Sequence, residues 1–280
     1  MASKPSFPRL IGVVHLPALA GSPLSHGFAP EESLAQAAEQ AIHEARLFEK
    51  AGFESLIIEN FGDAPFFKNK VPPETVASMA VVAAAVREAV KIPIGINVLR
   101  NDGRSALAIA AVTGCDFIRV NVLSGVVAAD QGLIEGDAAH LLRERDRLHA
   151  HVGIFADVHV KHAKTLSSDD VSTAVEDALN RSLADAIIVS GTGTGKSVSL
   201  LQLETAAKAC RANGAPLFVG SGATAENLSE LLTHASGVIV SSALRKGQKA
   251  GQPLEAKALT PFARQFFACL KPKGKRRSKK

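Results

Sequence analysis

The chain has 280 residues, 46% of them hydrophobic, with a formal charge of +5, 13 phenylalanines and neither tryptophan nor tyrosine. Such a length can bury a large core, and the lack of Trp and Tyr platforms argues against nucleic-acid binding by base stacking. The positive charge is local, because the last ten residues, KPKGKRRSKK, carry seven basic side chains and no acidic one, which leaves the rest of the chain at −2.

The terminal run reads as a solvated tail over 271–280, following a short N-terminal extension over 1–8 and one domain over 9–270. Cys115, Cys210 and Cys269 are odd in number and widely spaced. No disulfide framework or zinc motif follows, and apolar packing in a reducing compartment is the expectation. No window has the run of apolar residues that a membrane span or a secretory leader needs, so a cytoplasmic protein with at most peripheral membrane contact is expected.

In chain order, eight short apolar runs recur: LIGVVHL (10–16), SLIIEN (55–60), IPIGINV (92–98), DFIRVNV (116–122), VGIFADVHV (152–160), DAIIVS (185–190), PLFVGS (216–221) and GVIVSS (237–242). Segments of helical periodicity follow each, among them EESLAQAAEQAIHEARLFEKAG, GDAAHLLRERDRLHAH and TAENLSELLTHAS. This alternation predicts parallel strands with crossover helices, and eight units of uniformly apolar strands predict a single α/β domain of the (β/α)8 TIM-barrel class. The connections leaving the first, second and fourth strands are long and rich in Gly, Pro and polar groups. The face at the strands' carboxyl ends is therefore the expected functional one.

Alternate strand residues face a barrel's lumen. On the fifth strand Asp157, His159 and Lys161 share parity, as do Arg119 and Asn121 on the fourth, and His15, Glu59 and Asn97 stand at the ends of the first three. Internal ion pairs would account for such residues, yet gathering them at one end above apolar layers favours chemistry. Asp157 or Glu59 is a candidate general base, His159 or His15 a proton-transfer partner, and Arg119 with Lys161 an anion or enolate stabiliser, Asn97 and Asn121 adding substrate contacts. A divalent metal on Glu59, Asp157 and His159 stays open, as does an imine on Lys161.

After the seventh strand VGSGATAEN offers Gly220, Ser221 and Gly222 for close backbone approach to a phosphate, with Thr224 a cap for the next helix; after the eighth, SSALRKG offers Ser241 and Ser242. SGTGTGKSVS (190–199) resembles a P-loop, but Ser190 stands where its first glycine belongs, and the motif follows a barrel strand. Gly193 and Lys196 are accordingly read as substrate contacts.

Six stretches, IGVVHLPALAGSP, IIENFGDAPFF, VPPETVASM, FIRVNVLSGVVAADQGLIEG, FADVHVKHA and SGTGTGK, resemble the BtpA/SgcQ family over residues 8–265. The resemblance implies a barrel akin to ribulose-phosphate-binding enzymes. It also implies functional residues at His15, Glu59, Asn97, Arg119, Asn121, Asp157, His159 and Lys161. Ser241 and Ser242 depart from a Gly-Thr pair, and the basic tail is not a family feature. One member type is linked to photosystem I accumulation and another to a sugar-utilisation cluster. The expectation is an enzyme, a lyase, isomerase or hydrolase, using acid/base chemistry on a small phosphorylated, sugar-derived ligand. A non-catalytic photosystem I factor is the alternative, and a P-loop hydrolase a more distant one. Self-association is expected of such barrels, and nucleic-acid binding through the barrel is not.

Overall fold

A computed structural model describes residues 7–25, 27–167, 170–191, 193 and 198–270. The barrel strands are β1 (Leu10–His15), β2 (Ser55–Glu59), β3 (Ile94–Asn97) and β4 (Phe117–Val120), then β7 (Gly153–Val158), β9 (Ala186–Val189), β10 (Leu217–Val219) and β11 (Gly237–Val240). All are parallel and close in the order β1-β11-β10-β9-β7-β4-β3-β2. The eight predicted strands are these eight, each a little shorter than its apolar run.

Helices α1 (Pro30–Ala51), α2 (Pro73–Ala89), α3 (Gly103–Thr113), α4 (Ala138–Arg147), α5 (Val171–Glu176), α6 (Leu200–Ala212), α7 (Leu228–Leu231) and α8 (Ala256–Leu270) connect them. Their ends follow from local chemistry. α1 begins at Pro30 with Glu31 and Glu32 in its first turn, where a fixed φ and negative charge suit the exposed amides. At α3 the Asp102 carboxylate accepts from the Ser105 amide at 2.9 Å, capping the helix.

The lumen is filled as strand parity requires. Ile11, Val13, Ile57, Phe117, Phe155, Ala186, Ile188, Phe218 and Ile239 form one buried cluster, closed below by Phe7. Phe155 stacks between Phe117 and Phe218 at centroid distances of 4.4 and 5.3 Å. Residues of the other parity, such as Ile118, Val120, Ala156 and Val158, pack against the helices. This aromatic floor confines polar side chains of lumen parity to the upper layer.

Two sequence expectations are corrected. The stretch after β4 is not a plain loop. Strands β5 (Val126–Ala129) and β6 (Gly132–Glu135) form a hairpin, and β8 (Ala163–Thr165) joins it from beyond β7 to make a three-stranded antiparallel sheet in the order β6-β5-β8. Val122, Val127, Ile134 and Val160 form its small core. The segment TAENLSELLTHAS is helical only over Leu228–Leu231, and Thr224 does not cap it. The Thr224 amide instead donates to Asn227 Oδ1 at 2.8 Å, and the Asn227 amide returns a bond to the Gly222 carbonyl, so a side-chain-bridged turn replaces the first helical turns.

Candidate active site

The lumen residues of the top layer come from separate strands and meet under one cavity. It is lined by His15, Glu59, Arg119 and Lys161 together with Gly220, Ser221, Gly222, Ser241 and Ser242. Five expected phosphate contacts and four expected polar groups therefore share one space.

At its base, Arg119 Nε and Nη2 donate to the two oxygens of Asp157 at 2.8 and 2.9 Å. Asn121 donates a third bond to Asp157 at 3.1 Å, and Asn97 holds Asn121 Oδ1 and the Arg119 carbonyl, both at 3.0 Å. The Asp157 side chain is 0% exposed and that of Arg119 3%. Burial works against the Arg119 charge, but the Asp157 charge and hydrogen bonds, with Glu59 nearby, outweigh it and raise the guanidinium's pKa. Asp157 thus sits beneath the mouth with its acceptors engaged. Its geometry suits holding Arg119 rather than the general-base role open to it on sequence.

His15 is buried against Phe61, the rings stacked at 4.3 Å and 14°. Desolvation, then the charges of Arg245 and Lys161, hold its pKa well below 6.5, so the ring is neutral at neutral pH. The Gly251 amide donates to Nδ1 at 3.1 Å, which assigns the ring proton to Nε2. That nitrogen lies 3.9 Å from Glu59 Oε1. Lys161 also reaches the cavity, and its pKa is lowered by desolvation and by Arg119. No carboxylate among the described residues lies within ion-pair distance of its ammonium.

The two anion-type turns are built differently. At Gly220 a Cβ would lie 2.5 Å from Ile188 Cγ2 and 2.7 Å from Ser190 Oγ, so only glycine lets the turn approach β9. Gly222 has φ +74°, a left-handed conformation. Among the described residues the amides of Ser221, Gly222 and Ala223 donate no hydrogen bond. The Ser241–Ser242 turn runs into a single 3-10 turn (Ser242–Leu244). It is anchored by Arg245, 2% exposed, which donates to Ser241 Oγ at 2.9 Å, to the Val13 carbonyl at 3.0 Å and to both oxygens of Glu44.

His159 is not brought to this cavity. β7 ends at Val158, and His159 takes a left-handed φ of +52° that breaks the strand alternation. It lines a different recess with Ser124, Ala174 and Asp177, which Asn121 and Asp157 also border. Glu59 faces the first cavity and not this recess, so the metal set Glu59, Asp157 and His159 does not share one space, and no group of three His, Cys, Asp or Glu side chains able to hold an ion occurs among the described residues. Gly193 is buried, while Lys196 lies outside the described residues.

Sequence reasoning missed Arg245, Phe61 and Ser190, whose buried hydroxyl has no hydrogen-bond partner among the described residues. It also missed Arg100, which lines a second lobe of the mouth with Phe66, Leu99, Asn121, Asp130 and Gln131. Glu59, Phe61, Arg119 and Lys161 line both lobes. Only Ser190, at lumen parity after β9, carried a positional signal.

A closed eight-stranded parallel barrel with its polar cluster and glycine turns at the strands' carboxyl ends defines a TIM-barrel protein of the enzyme-like type. The chain belongs to the BtpA family, whose model matches residues 7–266. It is 45% identical over 264 residues to the photosystem I biogenesis protein BtpA of Synechocystis, covering 94% of this chain and 90% of that one. It is 43% identical over 263 residues to an uncharacterised protein of Methanocaldococcus jannaschii, covering 93% and 97%. Similar folds are seen in the native KDPGal structure, with a TM-score of 0.58 at 16% identity, covering 96% of this chain and 99% of that one. Phosphoribosyl anthranilate isomerase from Thermus thermophilus follows at 0.57 and 14%, covering 94% and 100%. No helix among the described residues is long and apolar enough to cross a membrane.

Proposed function

We propose that the chain is an enzyme that binds a small phosphorylated, sugar-derived substrate and moves a proton at a carbon beside its carbonyl. The observation that carries this reading is the single cavity in which Glu59, Lys161 and the His15 ring face the Gly220–Gly222 and Ser241–Ser242 turns. The amides of Ser221, Gly222 and Ala223, which donate no hydrogen bond among the described residues, suit a phosphate dianion, since aligned N–H groups form an anion-binding concavity. The names of structurally similar proteins, phosphoribosyl anthranilate isomerase and thiamine phosphate pyrophosphorylase, are in keeping with a phosphorylated ligand.

In this reading Glu59 accepts the proton. Lys161, made more acidic by its surroundings, and the Nε2–H of neutral His15 donate to the developing enolate oxygen, a charge best stabilised by donors already in place. Arg119, fixed by Asp157, supplies a rigid positive wall between the two lobes.

The test is thermal shift against phosphorylated sugars, their unphosphorylated counterparts and inorganic phosphate, each with and without divalent metals. A ligand at about 100 times its Kd stabilises by about 2.7 kcal/mol. A phosphorylated sugar should raise Tm and its unphosphorylated counterpart should not. Equal silence from phosphate and every phosphorylated sugar would refute the reading. The name of the Synechocystis relative supports a second one, a non-catalytic factor in photosystem I biogenesis. That reading requires function to survive Glu59→Gln.

A further inference from the structure

Arg100 is buried at 5% exposure, although it belongs to the loop between β3 and α3 rather than to a strand. Its guanidinium makes one hydrogen bond among the described residues, from Nη2 to the Lys161 carbonyl at 2.6 Å, and forms no ion pair there. Its other donors border the second lobe of the mouth, between the apolar walls of Phe66 and Leu99. Desolvation lowers its pKa, with Asp157, Glu59 and Asp130 opposing and Arg119 adding to the effect. Holding a guanidinium in such a place without a directly paired carboxylate is costly. Asp130, in the turn of the β5–β6 hairpin, is exposed, and its Oδ2 accepts from the Gln131 side-chain amide at 2.5 Å. Gln131 Oε1 is itself buried with no partner among the described residues. The tip of the β5–β6 hairpin and Asn121, at β4's end, border the same lobe as Arg100, and the side-chain NH2 of Gln131 and of Asn121 each carries a second N–H beyond its bond to Asp130 or Asp157.

We infer that Arg100, with the amides of Gln131 and Asn121, forms a second anion subsite that takes a carboxylate, so that the substrate is a phosphorylated acid. Resting on the phosphate reading above, this places the phosphate in the first lobe, the acid in the second and the reacting carbon between them, at Glu59 and Lys161. A planar carboxylate matches the guanidinium fork, and its second oxygen can accept from an amide N–H.

The test is calorimetric titration of the full chain with two matched pairs that differ in the acidic end and span two lengths. These are 3-phosphoglycerate against glycerol 3-phosphate and 6-phosphogluconate against sorbitol 6-phosphate, with inorganic phosphate as the reference. In at least one pair the acid should bind tenfold or more tightly than the polyol phosphate. Arg100→Gln should bring that ratio close to one, and Arg100→Lys, which keeps the charge but loses the fork, to an intermediate value. Acid and polyol binding within twofold in both pairs overturns the inference, and the wild-type comparison decides this even if Arg100→Gln does not fold. A ratio that survives Arg100→Gln in a folded protein also overturns it. If inorganic phosphate and all four compounds fail to bind, the phosphate reading fails with it; if phosphate binds and only the preference is missing, the second subsite alone fails.

Discussion

Arg119 grips both carboxylate oxygens of Asp157 at 2.8 and 2.9 Å in a layer almost closed to solvent, directly above the Phe117–Phe155–Phe218 stack. The pair joins β4 to β7 and sets the floor on which the cavity rests. A buried pair is strongly coupled, and removing one partner leaves an uncompensated charge. Arg119→Met should destabilise the fold by about 3–5 kcal/mol, because Asp157 would then retain only the Asn121 bond. Urea unfolding measures this, and a loss below about 1 kcal/mol would show that the pair is not the support described.

The titration of His15 has a definite sign. Its folded pKa lies well below 6.5, the unfolded value, so the unfolded chain binds more protons as pH falls through 6.5 toward the folded pKa. The wild type should lose stability over that interval, with His15 contributing a slope of at most about 1.4 kcal/mol per pH unit, and the contribution should be complete above 6.5. His15→Gln, compared at each pH, should show a shallower acid slope. Identical slopes would mean that the ring is not held neutral.

Gly220→Ala tests the close approach of the seventh-strand turn to β9. Its Cβ would meet Ile188 and Ser190 well inside contact distance, with Arg119 Nη2 at 3.2 Å. Overpacking of this kind costs about 1–3 kcal/mol and shifts backbone. A lower Tm and at least tenfold weaker binding of any phosphorylated ligand are expected, whereas unchanged binding would remove this turn from the site.

Much of this arrangement was legible in the chain. Strand alternation carried Glu59, Arg119 and Asp157 to lumen parity because period-2 geometry holds as long as a strand continues, and it still held at Asn121, one residue past β4, where the backbone does not turn left-handed. It failed at His159, one residue past β7, where a left-handed backbone reverses the side-chain direction. Asp157 was correctly located, but its burial depends on Arg119 and Asn121 from a neighbouring strand, which no local pattern reports. The hairpin in GVVAADQGLIEG has strands of four residues, and its third strand, Ala163–Thr165, pairs from about 35 residues onward. Short strands paired at that distance leave no periodic trace. Arg100 and Arg245 lie in connections whose course is fixed only by tertiary contacts.

The central claim, proton transfer by Glu59 at a phosphate-anchored carbonyl compound, is tested most directly by mass-spectrometric deuterium incorporation from D2O. Phosphorylated aldoses, ketoses and keto acids that raise the protein's Tm are the substrates to use. Wild type should introduce deuterium beside the carbonyl of at least one of them, and Glu59→Gln should slow this by about 10²–10⁴-fold while still binding the compound. Binding without any deuterium incorporation by the wild type, or incorporation undiminished in Glu59→Gln, would contradict the account.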